Sequence, residues 1–150
     1  MSMSRAELLA FMRRHRVAVQ TSVARNGAPQ AALVGIAVSD EFEVIFDTLQ
    51  TTRKVRNLRQ DPRIALVLGG WGPGEEQTVQ CEGVADEPSR AELQRVRELY
   101  FAVYPDGRER LAWPGLTHVR VRPNWLRYSD FGRRPQVILE FSAGDLAALA

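Results

Sequence analysis

The stretch "FDTLQTTRKVRNLRQDPR", residues 46–63, separates strand-like sequence on both of its sides. Its centre changes to helical spacing, since Thr51, Val55 and Leu58 fall on one face at positions i, i+4 and i+7. We therefore predict a short helix over residues 51–60, ended by an Asp-Pro pair, because a residue before proline avoids helical backbone angles. Three polar residues of this helix are expected to lie away from its apolar face, namely Arg53, Arg56 and Asn57.

The start of this helix has the composition of an anion-binding site. Unpaired backbone N–H groups and the helix dipole attract anions there. Thr48, Thr51 and Thr52 offer hydroxyl donors at this point. The first turn carries Arg53 and Lys54, the only lysine of the chain, although the dipole favours acidic residues in that turn. A solvated basic helix would carry similar charges, so the residues alone leave both interpretations open.

Strands and turns surround this helix. Alternating or continuous apolar patterns predict six strands, with a hairpin turn at Asn26-Gly27 that begins an antiparallel meander. The pattern indicates a mainly β protein, a small antiparallel barrel with inserted helices, in one domain over residues 1–150. The predicted strands are 16–24, 30–40, 42–48, 63–71, 77–87 and 116–131, with a possible seventh at 136–141. The other predicted helices are 4–14, 88–104 and a short terminal helix or tail at 142–150.

The order of three short motifs resembles that of a known family. Phe46-Asp47-Thr48, Thr52-Arg53-Lys54 and Asp61-Pro62 have the spacing found in the FMN-binding split-barrel family, the pyridoxamine 5′-phosphate oxidase-like flavoproteins. The later "EGVADE", residues 82–87, looks like the family's Gly-x-Ala strand end. The resemblance runs from about residue 16 to 131 and implies a six-stranded Greek-key split barrel.

The resemblance also implies roles for individual residues. By it, Thr48, Thr52, Arg53 and Lys54 hold the phosphate and ribityl chain of FMN. Thr51 is added to this set by the helix-terminus reasoning above.

The family's flavin ring lies against the second strand and takes backbone hydrogen bonds from it. The resemblance therefore places Leu33, Val34 and Gly35 near the ring. It also implies a homodimer with two flavin sites at the interface, to which the partner would contribute Trp71 and Gln77.

Two departures separate this chain from authentic pyridoxamine 5′-phosphate oxidases. Ala32 and Ala37 stand near the positions of an arginine and a lysine on the second strand of those enzymes. Their Arg-x-His-Asp motif is matched by "RYSD", in which Ser129 replaces the histidine. We therefore expect oxidoreductase activity by hydride transfer through flavin N5 on an unidentified small organic substrate, and not vitamin B6 oxidation.

Other cofactors of the same fold remain alternatives. The group that the chain resembles includes reductases that use the deazaflavin F420, whose anionic tail Arg56 and Arg59 would contact. Some members of the group bind heme, so a non-catalytic flavin- or heme-binding carrier or sensor is a further alternative, with heme less favoured than FMN.

Composition excludes several other classes. A net charge of +2 gives little reason to expect a nucleic-acid partner, and no apolar run reaches the roughly 20 residues needed to span a bilayer. The single cysteine, Cys81, is expected to be a buried apolar residue and fits a cytoplasmic location. His15 is expected to face solvent and His118 to be structural, so no metal site is predicted. Five residues of the last long strand are expected to form a solvated face: Arg120, Arg122, Trp125, Arg127 and Tyr128.

Overall fold

A computed structural model describes residues 1–150 as a curled antiparallel sheet of eight strands with helices packed on it. The α-helices are α1 (Arg5–Arg14), α2 (Arg53–Gln60), α3 (Arg90–Val103) and α4 (Ala143–Ala148), and a 3₁₀ helix covers Pro105–Ala112. The strands are β1 (Val17–Val23), β2 (Pro29–Gly35), β3 (Ala37–Val38), β4 (Val44–Leu49), β5 (Arg63–Gly69), β6 (Gln77–Asp86), β7 (Leu116–Asp130) and β8 (Val137–Ser142). The prediction of a mainly β fold with inserted helices is confirmed.

The sheet has the strand order β2-β1-β5-β6-β7-β4-β3, and β8 also pairs with β7. The long strand β7 organises one side of it. β6 pairs with one edge of β7 over most of its length. The other edge of β7 pairs with β4 at β7 residues 116–121 and with β8 at β7 residues 125–130. The segment predicted as a possible seventh strand is therefore a strand, and it extends this edge.

The predicted count of six strands is too low, because β8 is a strand and because one predicted strand is divided into two. The segment predicted as one strand over residues 30–40 is interrupted at Ile36, which lies between β2 and β3. β2 pairs with β1, and β3 pairs with β4. Because β2 and β3 end the strand order on opposite sides and only Ile36 separates them, the two ends of the sheet meet there. This bend curls the sheet into a split barrel.

The barrel interior holds the main hydrophobic core, a cluster of 25 buried residues. Phe46 and Leu68 are fully buried in it, and truncating such a side chain to alanine costs about 2–5 kcal/mol. A second, smaller core lies where α3 covers the other face of β3 and β4. Its members are Ala37, Ile45, Val96, Tyr100 and Phe101. The α3 helix is thus fixed on the outside of the barrel.

Helix α1 begins as the sequence predicted. The Ser4 hydroxyl accepts from the Glu7 N–H at 3.2 Å, and the Glu7 carboxylate accepts from the Ser4 N–H at 2.7 Å, which completes a capping box. Leu8, Phe11 and Met12 are buried on the inner face of this helix. None of the helices has both the length and the apolar surface that crossing a membrane requires.

Tyr128 does not lie on a solvated face, since it is 3% exposed and belongs to the main core, and two further residues outside α2 also differ from their sequence-based expectations. His15 does not face solvent, since its Nε2 lies 3.0 Å from a Glu75 carboxylate oxygen and its ring packs on Phe11. Arg120 does not belong to a solvated face, since it is 4% exposed and donates to both carboxylate oxygens of Asp86, at 2.9 and 2.6 Å. In both cases a carboxylate distant in sequence covers the group.

Candidate functional site

The barrel is split between β2 and β4, which contact each other without forming a ladder. The β3–β4 pairing stops at Ala37 opposite Ile45. Continuing that register would place Gly35 opposite Asp47 and Leu33 opposite Leu49. The open edge of β2 therefore faces the last residues of β4 across the split.

Backbone alternation identifies which residues of β2 present free groups to the split. The Ile36 N–H donates to the Arg16 carbonyl at 2.9 Å, which fixes the hydrogen-bonded positions of the β1–β2 ladder. In an antiparallel ladder these positions alternate, so Val34 directs its backbone groups to β1. Leu33 and Gly35 direct theirs to the open edge, and the Leu33 side chain is 62% exposed.

Helix α2 begins on the opposite side of the split. Thr52 is its N-cap residue, so the helix starts at Arg53 and not at Thr51. The hydroxyls of Thr48 and Thr52 lie 3.3 Å apart, and the Thr52 hydroxyl donates to the Leu49 carbonyl at 2.8 Å. Thr51 is exposed, and its predicted place on the inward face is wrong. The structure thus pairs two of the three candidate threonines.

The first turn of α2 carries uncompensated positive charge. It contains no acidic residue, and the Thr52 side chain makes no capping hydrogen bond to it. Neither Arg53 nor Lys54 forms an ion pair or a side-chain hydrogen bond, although most arginines elsewhere in the chain do. Lys54 is half-buried, and this burial lowers the pKa of its ammonium. An ammonium removed from water without a partner is unfavourable, so an anion at this position would be stabilising.

The remaining arginines of this segment divide into free and paired residues. Arg56 is exposed and has no partner. Arg59 donates to both carboxylate oxygens of Glu87, at 2.7 and 2.8 Å. Arg63 is paired with Asp61 at 2.6 Å. Of the two arginines considered for an anionic tail, only Arg56 is therefore available.

A buried amide fixes α2 beside β2. Asn57 donates from Nδ2 to the Ser22 hydroxyl at 3.0 Å and to the Gln30 side-chain oxygen at 3.1 Å. It is buried with Val55 and Leu58, so its predicted position away from the apolar face is wrong. Because Ser22 and Gln30 are register partners in β1 and β2, this contact fixes the middle of α2 to the hairpin end of these two strands.

The Tyr104 side chain approaches Gly35 closely. A methyl group added at Gly35 would lie 2.9 Å from both Cζ and Oη of Tyr104, too close for any real side chain. No local pattern indicates this contact, since Tyr104 follows α3, far along the chain. Only glycine at position 35 leaves room for the tyrosine ring.

Two predicted site residues lie elsewhere in the protomer. Trp71 lies in the loop between β5 and β6, and Gln77 begins β6. Gln77 pairs with Asp130, at the end of β7 that is far from the residues paired with β4. Trp71 is 49% exposed, while the Gln77 side chain accepts from Arg14 at 3.1 Å and donates to the Tyr128 hydroxyl at 2.9 Å. One protomer therefore does not bring them to the start of α2.

Two further titratable groups are buried, Cys81 in the main core and His118 on β7 opposite Asp47. Burial raises the pKa of the Cys81 thiol to about 12, which keeps it protonated and unreactive. Burial, with a contribution from the Arg97 charge, lowers the pKa of His118 to about 4, so its imidazole is neutral at pH 7. The expectation that Cys81 behaves as a small buried apolar residue is confirmed.

Sequence comparison supports the resemblance seen in the motifs. Residues 4–130 match the family described as pyridoxamine 5′-phosphate oxidase. A pyridoxine/pyridoxamine 5′-phosphate oxidase of Rubrobacter xylanophilus is 36% identical over 88 residues, which are 59% of this chain and 38% of that protein. The match thus covers well under half the length of this curated relative.

Solved structures have the same fold at low sequence identity. A heme-binding protein from Mycobacterium smegmatis superposes with a TM-score of 0.82 at 19% identity, over 99% of this chain and 62% of the other. A pyridoxamine 5′-phosphate oxidase-related, FMN-binding protein from Nostoc punctiforme gives 0.68 at 14% identity, over 91% and 87% of the two chains. These likenesses establish the split-barrel fold.

Proposed function

The chain belongs to the pyridoxamine 5′-phosphate oxidase family, and we propose that it is an FMN-dependent oxidoreductase acting on a small organic substrate. The observation that carries the proposal is the pair of unpartnered cations, Arg53 and Lys54, beside the Thr48 and Thr52 hydroxyls at the start of α2. Charge-assisted hydrogen bonds of this kind contribute about 1.5–3 kcal/mol each.

The residues of the split fit a phosphorylated flavin. The start of α2 offers backbone N–H groups and two cations to a phosphate dianion. Across the split, Leu33 and Gly35 offer free backbone donors and acceptors to a planar ring, and the exposed Leu33 side chain offers an apolar surface. Val34, whose backbone groups are used in the sheet, would contact the ring less directly than its neighbours.

Bound FMN would supply hydride transfer at its N5 atom. The contribution of this chain is then to bind the phosphate, to orient the ring against β2 and to exclude water from the split. Vitamin B6 is not the substrate we favour. Ser129, which replaces the expected histidine, is 1% exposed and unavailable to a ligand.

We also propose a homodimer with the flavin sites at its interface. Leu33, Val19 and Val67 are register partners on three adjacent strands, so their side chains share the outer face of the sheet. This apolar surface suits a second copy of the chain, which would bring its own Trp71 and Gln77 towards the site. Val67→Glu should convert the dimer to a monomer in size-exclusion chromatography with light scattering, and an unchanged mass would contradict this interface.

Two alternatives have specific support. The free guanidinium of Arg56 would suit the longer anionic tail of F420. The fold shared with the mycobacterial heme-binding protein supports a heme-binding carrier or sensor without turnover. Heme is the weaker alternative, because His118 is 1% exposed and His15 is paired with Glu75.

The absorbance spectrum of the purified protein, before and after reconstitution with FMN, F420 or heme, separates these cofactors. We expect saturable binding of FMN with flavin bands, and a deazaflavin or Soret band instead would favour the corresponding alternative. Reduction of bound FMN by NAD(P)H under anaerobic conditions would favour an enzyme. No reduction by any tested donor would favour a carrier.

A further inference from the structure

The split between β2 and β4 needs a support that the sheet does not provide. The ladder ends at Ala37 opposite Ile45, so no backbone hydrogen bonds hold Gly35 and Asp47 at a fixed separation. A binding site works only when its two walls keep their distance to within a fraction of an ångström. Some other contact must therefore set the width of the split at this point.

Two tyrosines at the end of α3 span these two positions. Tyr104 packs on Gly35 of β2, and Tyr100 donates from its hydroxyl to the Asp47 carboxylate of β4 at 3.1 Å. The two rings are stacked, with centroids 5.1 Å apart and an angle of 28° between their planes. They therefore form a continuous bridge from one wall of the split to the other.

Both ends of this bridge are anchored. At the β2 end, the Tyr104 hydroxyl donates to the Arg16 carbonyl, while the Arg16 guanidinium donates to the Val103 carbonyl and lies 5.1 Å from the Tyr104 ring centre. At the β4 end, Asp47 also accepts from Arg110 Nε at 2.7 Å.

Burial fixes the Tyr100 half of the bridge, and Tyr104 is partly buried against the same core. Tyr100 is 2% exposed within the smaller hydrophobic core. Burial and the neighbouring Asp47 carboxylate keep its hydroxyl protonated, with a raised pKa. The hydroxyl therefore remains a donor to Asp47 throughout the physiological pH range.

We propose that Tyr100 and Tyr104 form a brace that sets the width of the split, which makes Tyr104 a positioning residue for the ring bound along β2. The proposal rests on the proposed function, since it needs a ring in the split. Asp47 precedes Thr48 on β4, so the brace also fixes the distance between the ring end and the phosphate end of the site. Tyr104 acts by holding Gly35 in position and takes no direct part in hydride transfer.

The brace and the phosphate site make different predictions for two related ligands. Riboflavin has the ring and the ribityl chain of FMN without its phosphate. Tyr104→Ala should weaken the binding of FMN and of riboflavin by similar factors, about tenfold, because it disturbs the wall that the ring contacts. It should also change the visible circular dichroism of the bound flavin, which reports how the ring is held.

Two further variants separate the brace from a general loss of folding. Tyr104→Phe retains the stacked ring and loses only the hydrogen bond to Arg16, and we expect a weakening of about threefold. Gly35→Ala places a methyl group where the Tyr104 ring lies and displaces it, so it should reproduce the binding defect of Tyr104→Ala.

Phe101→Leu is the matched structural control. Phe101 packs in the same small core on the same helix, and its ring lies edge-on against His118 with the ring centroids 5.8 Å apart. It should lower the melting temperature and leave both flavin affinities and the dichroism unchanged. Wild-type affinity for riboflavin in Tyr104→Ala, or an equal defect in Phe101→Leu, would overturn the brace alone. If the wild-type protein bound neither flavin, the proposed function itself would fall, and the brace with it.

Discussion

The first turns of helices α1 and α2 are built in opposite ways. In α1, Ser4 and Glu7 satisfy each other's backbone N–H groups in a capping box. In α2, Thr52 makes no capping bond, and the next two residues are Arg53 and Lys54 instead of an acid. The start of α1 therefore finds its hydrogen-bond partners within the chain. The start of α2 has N–H donors and positive charges without partners in the chain.

The remaining α-helices differ from α2 in their first turns. α4 repeats the capping box with Ser142 and Asp145, and α3 has Glu92 in its first turn. Only α2 combines an unfilled cap with two unpaired cations. We infer that the first turn of α1 contributes to stability and the first turn of α2 to ligand binding. These two contributions can be measured separately.

The largest expected effect is that of reversing one charge. Arg53→Glu should weaken FMN binding by about a hundredfold, since it replaces attraction of the phosphate by repulsion. The same change should not lower the melting temperature of the cofactor-free protein, because an acid in the first turn suits the helix dipole. Isothermal titration and thermal unfolding provide the two values.

Arg90→Glu is the matched control for this variant. Arg90 holds the same position in α3 that Arg53 holds in α2, directly after the N-cap residue. Its reversal should leave FMN affinity unchanged. Equal losses in the two variants would mean that overall charge, and not the α2 site, governs binding.

Neutral truncations of the two cations should have a smaller effect. Arg53→Ala and Lys54→Ala should each weaken FMN binding at least tenfold, about 1.4 kcal/mol, because each removes one charge-assisted contact to the phosphate. Riboflavin affinity should not change in either variant. Unchanged FMN affinity in both variants would contradict the assignment of the phosphate site to the start of α2.

A change in the capping box of α1 should lower stability and leave FMN binding unchanged. Ser4→Ala should lower the free energy of unfolding by about 1 kcal/mol, since it leaves the Glu7 N–H without its acceptor. FMN affinity should stay the same. Urea denaturation measures the first quantity, and a clear loss of FMN binding in this variant would show that the two helix starts are not independent.

The smallest expected effect is the pH dependence of that cap. The hydrogen bond from the Ser4 N–H, followed by that involving the Ser4 side chain, lowers the pKa of Glu7 below its ordinary value of 4.5. A carboxyl with a lowered pKa stabilises the fold fully above 4.5, and this contribution is lost as the pH falls below that value.

Glu7→Gln keeps an acceptor at this position and removes the titration. Wild-type protein should therefore lose more stability than Glu7→Gln between pH 6 and pH 3. Parallel stability curves for the two proteins would contradict this assignment.

Local patterns account for much of this structure. The strand positions and the helix between β4 and β5 follow from periodicity and turn residues, which depend on neighbours in the sequence. The motif of Thr48, Thr52, Arg53 and Lys54 is also recognisable, because the residues lie within seven positions of each other. Composition alone leaves a solvated basic helix open as well, and it is the resemblance of the spacing to the family motif that favours the anion site.

Features set by distant contacts were not predictable in this way. The break at Ile36 lies inside a continuous apolar run and arises because β3 must reach β4 to curl the sheet. Asn57 is buried because β1 and β2 supply partners for its amide. Arg120 alternates outward as expected, but carboxylates of other elements cover it. Tyr104 reaches Gly35 only through the packing of α3 on the barrel.

The most direct test of the central claim compares FMN with riboflavin on the wild-type protein. The two ligands differ only in the phosphate assigned to the start of α2, and Arg53 and Lys54 are each expected to contribute at least tenfold. We therefore predict that FMN binds at least about a hundredfold more tightly than riboflavin in a fluorescence titration. Equal affinities for the two ligands would contradict the assignment of α2 as the phosphate site.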